Sequence, residues 1–150
     1  MSALALSLAA CGGDRLTSLP AVTYVATLKG TNERPRPTPS AATGVLSLRV
    51  EGGVATYSVT AFGFQTPLTL GHIHLGSGDV AGPVIVPFTI IAQSGTVAAG
   101  SFSLGVPITQ GNITISGDSL RSLFDSGQAY VNLYSVAYPD GEVRGQIVRP

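Results

Sequence analysis

The sequence predicts an all-β protein: an antiparallel, Greek-key-like β-sandwich with one short helix near the C-terminus. Apolar and polar residues alternate along most segments between turns, which is the pattern of half-buried strands. Charged residues make up only 11% of the 150 residues, which is too few for the solvent faces of a helical bundle. The 19 glycines and 10 prolines suit many short strands joined by tight turns.

Charge and motifs exclude several classes of function. Eight basic and eight acidic residues cancel, and the most basic stretch, Glu33 to Pro37, is typical of a solvated loop. The sequence contains no Gly-x-Ser-x-Gly elbow, no phosphate loop and no Cys-x-x-Cys pair. We therefore expect a protein that is not an enzyme and does not bind nucleic acid.

Residues 1–10 predict a signal segment. They carry no charge and are shorter than the roughly 20 apolar residues that span a bilayer, so they fit the apolar region of a secretory signal. Leu8-Ala9-Ala10-Cys11-Gly12 resembles the bacterial lipobox, in which the cysteine is acylated and becomes the mature N-terminus. No basic residue precedes the apolar run, so we expect the signal to be truncated at its N-terminus.

This signal predicts a lipoprotein. Cys11 is the expected lipid attachment site, and residues 11–20 are the expected tether to a domain over residues 21–150. Acyl chains on one cysteine hold a protein stably on a membrane, because each buried CH₂ contributes about 0.8 kcal/mol. The expected location is extracytoplasmic, at a membrane of the cell envelope.

The first half of the domain alternates clearly. Residues 22–29 predict a strand with Val22, Tyr24, Ala26 and Leu28 on one face. Residues 31–43 contain three prolines and predict an extended loop. Residues 45–50 and 55–61 alternate on either side of Glu51-Gly52-Gly53 and predict a hairpin.

The second half predicts further strands and the helix. Strands are expected at 68–75, 84–91, 96–104 and 113–116, and the apolar 84–91 segment is expected to be covered on both faces or to lie centrally in the sandwich. Residues 118–127 predict the helix, with Asp118 as its cap and Gly127 as its left-handed stop. Segments 130–136 and 142–148 flank Tyr138-Pro139-Asp140-Gly141 and predict a closing hairpin.

Several segments then occur in the order of a CHRD (chordin-type) domain: Leu28 to Pro35, Thr43-Gly44, Gly71-His72-Ile73-His74-Leu75-Gly76, Ala81 to Val84, Gly127 to Leu133 and Pro139 to Ile147. The chain resembles a bacterial lipoprotein member of this family from Val22 to Val148. The resemblance implies an extracytoplasmic β-sandwich with little settled biochemical activity in bacteria. It does not imply the growth-factor binding of chordin, because the domain occurs once and follows a bacterial anchor.

The two histidines, His72 and His74, are candidate metal ligands. They are two residues apart on a predicted strand, so both imidazoles project to the same face. Imidazole suits copper or zinc, but stable sites take three or four ligands. Relatives of the family often carry a further histidine where this chain has Tyr134. The alternative is that both histidines bond to loop backbone at the edge of the sandwich.

Glu33, Glu142 and Arg144 form a candidate polar cluster. Glu142 and Arg144 alternate onto one strand face and are expected to pair with each other or with Glu33. Such an ion pair would hold the Pro-rich loop, and the alternative is a recognition site for a carboxylate or sugar.

Two functions follow from these residues. The first is a non-catalytic binding module of the envelope, without a cofactor, whose partner is an envelope protein or a polysaccharide. The second is a copper or zinc protein centred on His72 and His74.

Overall fold

The computed structural model describes residues 20–150, so Cys11, the signal segment and most of the tether lie outside the described residues. Residues 20–150 form ten strands and one α-helix. The strands are β1 (Val22–Lys29), β2 (Thr43–Glu51), β3 (Val54–Phe62), β4 (Leu68–Leu75), β5 (Val84–Phe88), β6 (Gly95–Ser103), β7 (Ile108–Gln110), β8 (Ile113–Ile115), β9 (Ala129–Ser135) and β10 (Val143–Gln146). The helix α1 spans Gly117–Asp125, and Gly30–Asn32 form one 3-10 turn.

Eight strands form one antiparallel sheet in the order β5-β4-β9-β10-β1-β2-β3-β6, and β7 and β8 form a separate hairpin. Neighbours β10 and β1 are joined only by the register pair Lys29 with Arg144 and by an isolated bridge between Val25 and Val148. The sheet therefore has two four-stranded halves that meet there. At the other end it is nearly closed, since the Ile91 N–H, beyond β5, donates to the Val97 carbonyl of β6 at 2.8 Å.

The core lies between these halves. Every second residue of β2 and β3 is buried, as the alternating sequence predicts. Tyr57 of β3 stacks on Phe88 of β5 with ring centroids 4.4 Å apart, which joins the two halves across the core. Leu120 and Phe124 of α1 belong to the same core cluster. The all-β, antiparallel fold with one short helix is thus confirmed.

Local details differ from the sequence prediction. Strand β5 of the 84–91 segment lies at one end of the strand order rather than centrally, although its Ile85, Val86 and Phe88 side chains are buried. Pro87 suits that edge because it cannot donate to a neighbouring strand. The cap of α1 is Ser116, whose hydroxyl accepts from the Ser119 N–H, rather than Asp118. The predicted left-handed stop after the helix is confirmed, because Gly127 has a φ of +65°. Within residues 20–150, no helix is long and apolar enough to cross a bilayer.

Candidate functional site

A polar face covers one side of the β4-β9-β10 half of the sheet. Strand register aligns its residues in two rows across the three strands: His72 with Asn132 and Arg144, and His74 with Tyr130 and Gln146. Ile73 and Val131, which alternate with these residues, are completely buried in the core. The polar face therefore lies on the side of the sheet away from the core.

Loop 76–83, which joins β4 to β5, is tied to this polar face. The Arg144 guanidinium donates to the Ser77 carbonyl at 2.7 Å, and the Gln146 amide donates to the Gly76 carbonyl at 2.7 Å. At the far end of the loop, the Gly82 N–H donates to the Tyr130 hydroxyl at 3.0 Å. These bonds satisfy loop backbone groups that would otherwise lack partners.

Both ring nitrogens of His74 are engaged. Its Nδ1 lies 2.8 Å from the Gly82 carbonyl, to which it donates, and its Nε2 accepts from the Tyr134 hydroxyl at 2.8 Å. Burial lowers the pKa of His74 to about 4, so the imidazole is neutral at pH 7. The ring also stacks on Tyr130, with centroids 4.9 Å apart. These contacts make His74 an anchor for loop 76–83.

His72 lies beside His74, and their ring centroids are 5.5 Å apart. The centroid of the Tyr134 ring is 5.2 Å from that of His72. The Nδ1 of His72 is buried without a hydrogen-bond partner, and burial lowers its pKa. Among residues 20–150, no group of three or more His, Cys, Asp or Glu side chains could hold a metal ion.

Glu33, Glu142 and Arg144 are each only 2% exposed, but they do not form the predicted ion pair: salt bridges among residues 20–150 join other side chains. Arg144 instead places its guanidinium 3.4 Å from the centre of the Tyr130 ring. The reason is geometric, because Glu142 lies just before β10 and reaches the Pro-rich loop rather than the polar face.

Glu142 nevertheless fixes the Pro-rich loop, as the ion pair was expected to do. Its carboxylate accepts from the Ser40 hydroxyl at 2.6 Å, and its backbone carbonyl accepts from the Thr38 hydroxyl at 2.7 Å. These two hydrogen bonds tie the loop to the start of β10.

Glu33 is enclosed between Asn132 and Gly141. The Asn132 amide donates to Glu33 Oε2 at 3.3 Å, while Glu33 Oε1 is buried without a partner. Gly141 has a φ of +126°, and a side chain there would come within 2.8 Å of Glu33 Oε2. Burial raises the pKa of Glu33 to about 7, although the Asn132 amide and the Arg144 charge oppose that rise.

Two concavities flank Arg34. The loop cleft, with a volume of about 450 Å³, lies between residues 33–39 of the Pro-rich loop and residues 137–141 of the β9–β10 turn. The arginine pocket, of about 230 Å³, is lined by Asn32, Arg34, Gly78, Asp79, Arg144 and Gln146. Asn132, Tyr130 and Gln146 were not predicted as site residues, although alternation along β9 and β10 places them on the polar face with Arg144.

Comparison with known proteins identifies the family. The CHRD domain model matches residues 24–147, a span that holds the polar face, loop 76–83 and both concavities. The chain matches no curated protein and no solved structure. CHRD domains are a non-catalytic family. From β1 to the end of β10, this chain belongs to the CHRD domain family.

Proposed function

We propose that this chain is an exported, lipid-anchored and non-catalytic module of the cell envelope that binds a polysaccharide or an envelope protein. The observation that carries the binding role is the loop cleft of about 450 Å³. Membership of the CHRD domain family also supports the role of an interaction module for this chain. The lipobox-like segment ending at Cys11 supports export and anchoring.

The loop cleft is pre-organised for binding. Its Pro-rich wall contains Pro35, Pro37 and Pro39, and each proline fixes its own φ. The two hydrogen bonds to Glu142 hold the same wall against β10. Because a pre-ordered loop loses less conformational entropy on association, more of the contact energy remains as affinity.

The lining of the cleft suits a ligand with both apolar and polar faces. Tyr138 and the prolines offer flat apolar surfaces, and the arginines at positions 34 and 36 and Asp140 offer charged hydrogen-bonding groups. Sugar rings and extended peptides both present such alternating surfaces. This chemistry agrees with a polysaccharide or an envelope protein as partner.

Capture from envelope extracts tests the binding role. The immobilised full chain should retain a polysaccharide or an envelope protein, and Tyr138→Ala should reduce retention about tenfold by removing the aromatic wall. Phe62→Ala is the matched control, because Phe62 is an aromatic residue that is 53% exposed on β3. Failure of the wild-type chain to retain anything, or equal retention by both variants, would contradict the proposal.

Detergent partitioning tests the anchor. The wild-type protein, produced in a bacterium that processes lipoproteins, should enter the detergent phase, and Cys11→Ala should remain in the aqueous phase because it cannot be acylated. The Ser7→Ala variant leaves the cysteine in place and should behave like wild type. Aqueous partitioning of both the wild-type protein and the Cys11→Ala variant would show that no anchor is attached.

Metal binding is a second candidate function, favoured by the 5.5 Å separation of the His72 and His74 rings. Coordination by His74 requires loss of its bond to Gly82 or to Tyr134, which lowers the affinity. Calorimetric titration with copper(II) and zinc(II) tests this candidate against the His72→Ala/His74→Ala double variant. Millimolar or weaker affinity, or an affinity that is unchanged in the double variant, would rule out metal binding.

A further inference from the structure

We propose that the arginine pocket binds the carboxylate of an acidic sugar, so that the ligand of this module is a uronate-containing polysaccharide. This inference rests on the proposed function and specifies the chemical class of the partner. The pocket adjoins the loop cleft, since Arg34 lines both. One polymer chain can therefore place an acidic ring in the pocket and a neighbouring ring in the cleft.

Arg144 carries a buried charge at the wall of the arginine pocket. The residue is 2% exposed, and among residues 20–150 no carboxylate forms a salt bridge with its guanidinium. The Ser77 carbonyl accepts from Nη2 of a guanidinium that carries five N–H donors. The nearby Glu33 offsets this charge only in part, because burial favours the neutral form of its carboxyl. A buried cation with free donors at a pocket wall favours an anionic ligand.

Arg34 supplies a second guanidinium to the same pocket. Its Nη2 lies 3.6 Å from an Asp79 carboxylate oxygen, and the Asp79 side chain is 93% exposed. Asp79 therefore shows that a carboxylate can reach this position, but an exposed ion pair of this length is weak and readily displaced. A ligand carboxylate would replace Asp79 and contact a guanidinium on either side. Planar guanidinium groups match the planar carboxylate geometrically.

The amide side chains of the pocket favour a hydroxylated acid. The Gln146 amide nitrogen lies 2.7–2.9 Å from the carbonyl oxygens of Gly76, Gly127 and Ala129, among which its two N–H groups are shared, and its Oε1 is buried without a hydrogen-bond partner. Asn32 also lines the pocket, and its amide nitrogen donates to the Arg144 carbonyl at 3.0 Å. Amide oxygens accept from hydroxyl groups. A uronic acid carries a carboxylate and several hydroxyls on one ring, and the pocket volume of about 230 Å³ suits a group of that size.

Titration of the ¹⁵N-labelled full chain with galacturonate and galactose tests this assignment. Galacturonate should bind at least tenfold more tightly, and the side-chain amide signals of Asn32 and Gln146 should shift on binding. Arg34→Gln should weaken galacturonate binding about tenfold, because it removes a charge-assisted contact. Arg49→Gln is the matched control, since Arg49 pairs with Glu51 on the other half of the sheet and should leave the affinity unchanged. Asp79→Asn should strengthen binding about two- to fivefold by removing the competing carboxylate.

Equal affinity for galacturonate and galactose, or an Arg34→Gln affinity equal to wild type, would overturn the assignment. A polyglutamate peptide that binds as tightly as polygalacturonate would overturn the sugar class. Two outcomes distinguish failure of the proposed function from failure of the arginine-pocket inference. If the chain binds galacturonate but captures nothing from envelope extracts, the envelope role fails. If it captures a partner that Tyr138→Ala loses and Arg34→Gln keeps, only the arginine-pocket inference fails.

Discussion

Replacement of Glu33 by glutamine should change stability in a strongly pH-dependent way. The Glu33 carboxyl is 2% exposed, and burial raises its pKa from 4.5 to about 7 in the folded protein. Between these values the folded state holds the proton more tightly than the unfolded chain does. The free energy of unfolding of the wild type should therefore fall as pH rises from about 4.5 to about 7.

The size of the effect follows from the same two values. One pKa unit corresponds to about 1.4 kcal/mol, so the interval from 4.5 to about 7 corresponds to about 3 kcal/mol. Glutamine keeps the shape of the side chain and carries no charge. Its amide oxygen can still accept from the Asn132 amide, as Glu33 Oε2 does. Glu33→Gln should thus be more stable than wild type by about 3 kcal/mol at pH 8 and within about 1 kcal/mol of it at pH 4.

Urea unfolding at several pH values between 4 and 8 measures this difference. His74 acts in the opposite direction, because its folded pKa of about 4 lies below the unfolded value of 6.5, so its contribution to stability is lost as pH falls through this range. That contribution is shared by both proteins and cancels when they are compared at each pH. A difference that stays constant from pH 4 to pH 8, or a variant that is less stable at pH 8, would refute the reasoning.

Four further substitutions test the polar face and the core. Tyr134→Phe should lower the free energy of unfolding by about 1–3 kcal/mol, because the buried His74 Nε2 loses its donor; urea unfolding checks this, and an unchanged midpoint would contradict it. Tyr134→His should place a third imidazole beside His72 and His74. Calorimetry should then show that the variant binds zinc(II) at least tenfold more tightly than wild type. Equal affinity would show that the three rings cannot converge on one metal ion. Ile73→Ala should lower the free energy of unfolding by about 2–5 kcal/mol, because Ile73 is completely buried. Leu70→Ala, at a residue of the same strand that is 49% exposed, should lower it by about 0.5 kcal/mol. Equal losses in thermal unfolding would contradict the assigned core.

The strands that contribute residues to the core could be predicted from the sequence. The bounds of β1 and β4 agree with the prediction to the residue. The strictly alternating β2 and β3 were also predicted, and each extends one or two residues further than expected. Strand β7 was missed, since its three residues pair only with β8 in a small separate hairpin. The apolar run from Val84 correctly predicts a strand, but it does not specify the position of that strand in the sheet. Strand β5 lies at the end of the sheet order because it pairs with β4, whose other edge pairs with β9.

The candidate site could be predicted only in part. The His72 and His74 pair was predictable, because two residues on one strand share a face by geometry alone. The hydrogen bonds of His74 to Gly82 and Tyr134 depend on loop 76–83 and on strand pairing, which a local pattern does not encode. The arginine pocket was not predictable for the same reason. Arg34 and Arg144 are more than 100 residues apart in sequence, and only the tertiary fold brings them to one concavity.

Chemical-shift mapping of the full chain with a purified envelope polysaccharide tests the central claim most directly. Saturable shifts should concentrate at the loop cleft and the arginine pocket, including the backbone amides of Arg34, Tyr138 and Gly141. Residues on the outer surface of β2 and β3, such as Val45 and Phe62, should not shift. Shifts centred on β2 and β3, or an absence of saturable shifts with every envelope polysaccharide and protein fraction, would contradict it.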